Sequence, residues 1–110
     1  MKSGDSPSGK KKARTVRRKV TILNSRGLHA RAAAKFAEAA GSFESKIEVT
    51  KDGQSVSGLS IMGLMMLAAS PGSDLEIIAS GPDAKAAVDA LEALVAARFE
   101  EDEPPNGPGA

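Results

Sequence analysis

Two hydrophobic periodicities alternate along the middle of this chain, and the alternation limits its fold more strongly than any other feature. Short runs in which apolar and polar residues alternate, such as residues 46–50, are typical of half-buried strands. Longer runs with apolar residues three and four apart are typical of amphipathic helices. The resulting order is β-α-β-β-α-β-α. We therefore predict an α/β (α+β) domain of two layers, with four short strands and the helices on one face.

Turn and cap signals between these runs set the predicted bounds. Asp52-Gly53 favours a hairpin, and Pro82 suits the first turn of a helix. The predicted strands are 20–23, 46–50, 54–57 and 75–79, and the predicted helices are 29–40, 60–69 and a last one that begins after Gly81-Pro82-Asp83. The last helix has one apolar stripe, which consists of Ala84, Ala87, Val88, Leu91, Leu94, Val95 and Phe99.

Composition limits the folded domain to residues 17–101. Residues 1–16 are rich in Ser, Gly and Lys and offer little to bury, so we expect a disordered basic extension. Residues 102–110, DEPPNGPGA, cannot continue a helix, and we expect a disordered tail.

Several functional classes are poorly supported by the sequence. The chain has no cysteine, so it has no disulfide, thiolate metal site or cysteine nucleophile. It has no apolar run long enough to span a membrane, and its basic start lacks the apolar region of a secretory signal. The net charge of +1 argues against a dedicated polyanion binder. With one histidine there is no metal-ligand spacing and no nucleophile–base pair, which argues against a hydrolase.

The single histidine, His29, stands where a loop enters a helix. The first N–H groups of a helix lack internal partners and, with the helix dipole, favour an anion. Gly27 permits a tight bend beside the histidine, and Arg31 adds a positive charge suited to a phosphate. A phosphoryl group on the imidazole would therefore be stabilised here. A histidine that starts a helix and has no chemistry explains the local pattern equally well.

The stretch Gly27-Leu28-His29-Ala30-Arg31 resembles the active-site signature of HPr, the histidine phosphocarrier of the bacterial phosphotransferase system. A second stretch, residues 59–65 (LSIMGLM), resembles the regulatory-serine segment of the same family. With the element order between and around them, the resemblance covers residues 20–99. It implies an open-faced β-sandwich, in which a four-stranded antiparallel sheet is covered by three helices.

The resemblance also implies a chemistry. Enzyme I takes phosphate from phosphoenolpyruvate and passes it to His29, on Nδ1 (the pros nitrogen), and the carrier passes it to an Enzyme IIA, in sugar transport or in regulatory signalling. Arg31 steadies the phosphate. The implied protein is a phosphocarrier rather than a turnover enzyme, needs no metal or organic cofactor, and acts as a monomer in the bacterial cytoplasm.

Ser60 has two interpretations. A serine before an apolar helical run is an N-cap, worth about 1 kcal/mol. The resemblance adds phosphorylation by an ATP-dependent HPr kinase/phosphorylase, which would place up to about two negative charges there and repel acidic partner surfaces.

The second predicted helix is apolar on nearly all sides, more than one buried face requires. For Ile61, Leu64 and Leu67 we favour burial in the core, although Ile61 is open to both interpretations. For Met62 and Met65 we favour contact with partners, because methionine adapts to several surfaces. The expected partner interface comprises Leu28, Ala32, Ile61, Met62 and Met65.

The sequence departs from the family pattern at two positions. Ala32 replaces the proline that most often follows the arginine, which hints at a nitrogen-related or regulatory branch; the helix survives, because alanine is a strong helix former. Leu59 replaces the lysine often found before the regulatory serine, which bears on recognition of Ser60 by a kinase.

Two other classes remain as alternatives. One is a regulatory interaction domain that keeps the fold without phosphotransfer. The other is a nucleic-acid-binding module that uses the basic residues between Lys10 and Lys19, although a base-stacking platform is disfavoured because the chain has no Tyr or Trp and only three Phe. A solvated tail explains the basic segment better, so we expect no nucleic-acid partner.

Overall fold

A computed structural model describes residues 14–67 and 69–100, so residues 1–13 of the expected extension and the whole expected C-terminal tail lie outside the described residues. The elements are β1 (Arg14–Thr21), α1 (Ala30–Gly41), β2 (Lys46–Lys51), β3 (Gln54–Ser57), α2 (Ile61–Met66), β4 (Asp74–Gly81), α3 (Ala84–Ala96) and a 3-10 turn, Arg98–Glu100. The predicted element order and fold class are confirmed.

The four strands form one antiparallel sheet in the order β1-β4-β2-β3. The two central strands, β4 and β2, pair with Ile47 opposite Ala79 and Val49 opposite Ile77. All four of these side chains are buried under the helices. The period-two alternation of strand residues therefore places one face of the sheet in the core and leaves the other open.

The first strand is longer than predicted and begins earlier, at Arg14 instead of residue 20. It pairs with β4 along its whole length, from Arg14 opposite Gly81 to Thr21 opposite Asp74. The alternate residues Val16, Arg18 and Val20 are the half-buried or buried ones. Residues 14–16, which composition assigned to the disordered extension, therefore belong to an amphipathic edge strand.

The core lies between the sheet and the helices. The predicted stripe of α3 is buried as expected at most positions, but Leu94 is only half-buried. Phe99 lies in the turn after the helix, and its side chain is fully buried. In this turn Arg98, Phe99 and Glu100 all have φ of about 60°. The second helix ends at Met66 rather than at residue 69, and the chain then turns back toward the loop before α1.

A carboxylate joins the start of α3 to the start of β2. Oxygen atoms of Asp83 accept hydrogen bonds from the N–H groups of Glu44 and Ser45, both at 2.9 Å, and from the Ser45 hydroxyl. These bonds favour the charged form of the carboxyl. The Ser45 hydroxyl contributes most to holding the pKa of Asp83 below its usual value, followed by the Glu44 amide.

The Asp83→Asn variant is expected to be less stable than the wild type at neutral pH, and the difference is expected to vanish in acid. Because the pKa of Asp83 is lowered in the folded state, its contribution is present above the pKa of the unfolded state and is lost as the pH falls through the folded value. Urea unfolding midpoints between pH 7 and pH 2 measure this. Asp52→Asn, at the exposed hairpin turn, is the control. A difference between Asp83→Asn and wild type that stays constant with pH would contradict the assignment.

Candidate functional site

The loop between β1 and α1 carries His29 and is held by a closed turn. The Gly27 N–H donates to the Asn24 carbonyl at 3.2 Å, and Asn24 Nδ2 donates to the Gly27 carbonyl at 2.8 Å. Asn24 is fully buried. A buried side chain that bonds across the turn fixes the direction in which the chain enters the helix.

Gly27 lies against a second segment of the chain. Its φ is +67°, and a β-carbon on it would lie 2.4 Å from the Ala69 carbonyl oxygen. The same oxygen accepts the Leu28 N–H at 2.9 Å. Only glycine has both the backbone freedom and the space for this approach. The loop before α1 is therefore attached to the segment that follows α2.

His29 is the N-cap of α1. Its backbone is extended, with φ −79° and ψ −178°, and its Nδ1 atom accepts the Arg31 N–H at 3.3 Å. An accepting Nδ1 carries a lone pair, so the proton of a neutral ring is on Nε2. The ring is half-buried. The predicted helix-start position of His29 is confirmed, and its Nδ1 atom lies at the N-terminus of the helix, where the first N–H groups lack intrahelical partners.

Two arginines stand on either side of His29. Arg31 lies in the first turn of α1 and Arg26 at the tip of the preceding turn, and both are exposed. Within the described part of the chain, neither guanidinium is paired with a carboxylate, and the first turn of α1 has no acidic residue. The positive charge that these two side chains bring to the start of α1 is therefore not paired with a carboxylate among the described residues. Arg31 was predicted from the sequence, whereas Arg26 was not, although its position in the turn three residues before His29 indicated it.

Ser60 lies at the start of the second helix. Its Oγ accepts the Gly63 N–H at 2.9 Å, which is the N-cap geometry expected from the sequence. The residue is half-buried, and α2 packs against α1.

An exposed apolar surface surrounds α2. We call it the α2 face, and it consists of Leu59, Ile61, Met62, Met65 and Met66. Met62 and Met65 are exposed, as expected for a partner surface, and Leu64 and Leu67 are buried, as expected for the core. Ile61 is exposed, so the favoured interpretation of this residue as core was wrong.

The expected partner interface needs a correction at Leu28 and Ala32, which lie in the core with 5% and 0% exposure. Leu28 is turned inward where its N–H bonds to Ala69, and Ala32 lies on the buried side of α1. Their side chains cannot contact a partner. Leu59 and Met66, by contrast, are largely exposed apolar side chains beside Met62 and Met65.

The described residues contain no cluster of three His, Cys, Asp or Glu side chains that would hold a metal ion. Among the helices of residues 14–67 and 69–100, none has the length and apolar character needed to cross a membrane.

The sequence and the fold of this chain are similar to those of known proteins. Residues 16–97 match the family model described as PTS HPr component phosphorylation site. The phosphocarrier protein HPr of Cupriavidus necator is 49% identical over 88 residues, which cover 80% of this chain and 99% of that protein. The phosphocarrier protein NPr of Shewanella violacea is 43% identical over 86 residues, which cover 78% and 94%. The crystal structure of HPr-C-His from Thermoanaerobacter tengcongensis superposes with a TM-score of 0.76 at 40% identity, and the match covers 79% of this chain and 98% of that one.

The fold and these relatives define the class as that of the phosphocarrier proteins. Within this class, the chain belongs to the HPr family of the phosphotransferase system.

Proposed function

We propose that this protein accepts a phosphoryl group from Enzyme I on Nδ1 of His29 and delivers it to an Enzyme IIA. The observation that carries the proposal is the orientation of His29, whose Nδ1 lone pair points at the Arg31 N–H at the start of α1. Membership of the HPr family supplies the class of donor and acceptor.

The geometry suggests how the transfer proceeds. The Nδ1 lone pair forms a bond to phosphorus while the bond between phosphorus and the donor group breaks, and the electron pair of that bond leaves with the donor. The ring keeps its proton on Nε2. The phosphoryl oxygens then accept the hydrogen bonds of the helix N-terminus that Nδ1 accepted before, at a position that favours negative charge. Transfer to Enzyme IIA reverses these steps with a different partner.

Residues around His29 also favour a long-lived phosphohistidine. A general base that activates water must lie within hydrogen-bond reach of the attacking molecule. The first turn of α1 has no acidic side chain to serve as that base, and it has the Arg31 guanidinium to neutralise charge. A site that binds a phosphoryl group without activating water suits a carrier.

The direct test is to incubate the full chain with Enzyme I, Mg²⁺ and phosphoenolpyruvate and to record the intact mass. A single acid-labile increase of roughly 80 Da, one phosphoryl group, is expected. If a folded chain gains no mass from an active Enzyme I, the non-transferring interaction domain becomes the better description.

The Arg31→Ala variant is expected to accept phosphate from Enzyme I about 10- to 100-fold more slowly, because a hydrogen bond to a charged group is worth roughly 1.5–3 kcal/mol. Arg31→Lys keeps the charge but not the planar pair of donors, so partial recovery is expected. Quenched-flow phosphorylation measures the rates. Arg17→Ala removes an equal charge from an exposed strand position and should be close to wild type. Equal loss in the Arg17 and Arg31 variants would rule out a specific role for Arg31.

We also propose that Ser60 is a regulatory site phosphorylated by an HPr kinase/phosphorylase. Its hydroxyl lies at the border of the α2 face, so a phosphate there adds negative charge to the surface that partners approach. The similarity to a phosphocarrier NPr supports a role in a regulatory, nitrogen-related branch, and sugar transport is the alternative.

The Ser60→Ala variant is expected to lose ATP-dependent phosphorylation and also about 1 kcal/mol of stability, because the cap of α2 is removed. Ser60→Asn keeps an N-cap side chain but has no hydroxyl to phosphorylate, so it separates the two effects. Mass spectrometry after incubation with the kinase and urea unfolding give the two measurements. Phosphate incorporation that persists in Ser60→Ala would place the regulatory site elsewhere.

A further inference from the structure

Three methionines of α2 are exposed on one side of the helix. Met62 is 71% exposed, Met66 66% and Met65 40%. Residues three and four apart lie on the same face of a helix, so Met62 adjoins both of the others. They are the only methionines among the described residues, since the fourth of the chain is Met1.

None of the three contributes to the hydrophobic core. The buried side chains of this region are Leu64, within the helix, and Leu67, just after it. A chemical change at the methionine sulfur atoms therefore alters the surface and leaves the packing of the domain intact.

The methionines lie close to the histidine site. Met66 is the last residue of α2, and three residues later the Ala69 carbonyl accepts the Leu28 N–H of the loop that carries His29. The helix also packs against α1, whose N-terminus His29 caps. We therefore expect a protein that brings a phosphoryl group to His29 to contact the methionine end of the α2 face.

We propose that Met62, Met65 and Met66 form an oxidant-sensitive modification site, at which conversion to sulfoxides slows phosphoryl transfer to His29. The inference rests on the proposed function. In the modification, a sulfur lone pair attacks one oxygen of hydrogen peroxide and the O–O bond breaks. The proton of the attacked hydroxyl moves to the departing oxygen, which leaves as water. The sulfur is oxidised by two electrons and the peroxide is reduced.

A sulfoxide acts on docking rather than on folding. In the free protein its oxygen is hydrated, because these side chains are exposed. Docking of Enzyme I would remove that water and bury a polar group without a designed partner, which disfavours the complex. We expect phosphotransfer to slow on the order of tenfold, a change that methionine sulfoxide reductases reverse.

The experiment treats the full chain with hydrogen peroxide and follows phosphorylation by Enzyme I and phosphoenolpyruvate, at limiting concentrations of the carrier. Peptide mass spectrometry locates the added oxygen, roughly 16 Da for each sulfoxide. The matched variant is Met62→Leu/Met65→Leu/Met66→Leu, which keeps similar apolar volume and has no sulfur at these positions. Each protein is compared with its own untreated sample, and thermal unfolding is recorded before and after treatment.

Four results support the proposal together: oxidation at the three sites, slowed transfer in wild type, no slowing in the leucine variant, and an unchanged thermal midpoint. Transfer at the untreated rate with all three sites oxidised would overturn it, as would equal slowing in the leucine variant or a lowered midpoint. If untreated wild-type protein accepts no phosphate, the proposed function itself fails, and the untreated sample identifies that outcome separately.

Discussion

The His29→Asn variant is expected to accept no phosphoryl group from Enzyme I, while its fold remains intact. The imidazole Nδ1 atom is the proposed nucleophile, and an amide offers no equivalent lone pair. Asparagine is a strong N-cap, so its side-chain oxygen can accept the Arg31 N–H that Nδ1 accepts in the wild type. Intact mass after incubation with Enzyme I and phosphoenolpyruvate should show the unmodified chain alone.

His29→Ala is the companion variant, since it removes both the ring and the cap. We expect it to be unphosphorylated and less stable by about 1 kcal/mol, whereas His29→Asn keeps the stability of the wild type. A phosphoryl adduct on folded His29→Asn would show that another residue is the acceptor and would overturn the proposed function.

The Gly27→Ala variant is expected to have the largest effect on stability, about 2–6 kcal/mol, and to impair phosphotransfer as well. A left-handed backbone costs a non-glycine residue roughly 1–3 kcal/mol. The added methyl group would also lie 2.4 Å from the Ala69 oxygen, and relief of such overpacking typically costs about 1–3 kcal/mol. The Ala69 oxygen is a backbone atom and cannot rotate away as a side chain could, so the loop that contains Gly27 must move. His29 is in the same loop and moves with it. Urea unfolding and the initial rate of phosphorylation measure the two effects.

Gly53→Ala is the control that separates the cost of the left-handed backbone from the cost of the close contact with Ala69. Gly53 also has a positive φ, of +82°, but no atom lies within 4 Å of the position that its β-carbon would take. The substitution should therefore destabilise the protein only by the cost of a left-handed backbone, roughly 1–3 kcal/mol, and leave phosphotransfer unchanged. If the two glycine variants lose equal stability, the approach of Gly27 to Ala69 does not restrict the loop.

The fold was largely predictable because most of its signals are local. In β2 and β4, alternate side chains face the core, and in α3 one stripe does. These positions are apolar in the sequence, so the pattern can be read from neighbouring residues. The start of β1 was not predictable in this way. Its residues Arg14–Val16 resemble the preceding basic segment in composition, and only pairing with β4, more than 60 positions later, makes them a strand.

The site was predictable to the extent that it depends on neighbours in the chain. His29 at a helix start and Arg31 in the first turn follow from the sequence around them. The attachment of Gly27 and Leu28 to Ala69 joins segments about 40 residues apart, and no local pattern reports it. The same tertiary contact turns Leu28 inward, which is why its expected place in the partner interface was wrong.

The pairing of the first strand with the last also constrains when the histidine loop can be assembled during synthesis of the chain. A ribosome produces β1 first, but its partner β4 follows only after α1, β2, β3 and α2. The Ala69 oxygen that anchors the histidine loop is also made late. Long-range pairing of this kind has to wait for the distant segment. A nascent chain that stalls before residue 69 therefore contains His29 but lacks the backbone oxygen that anchors the loop around it.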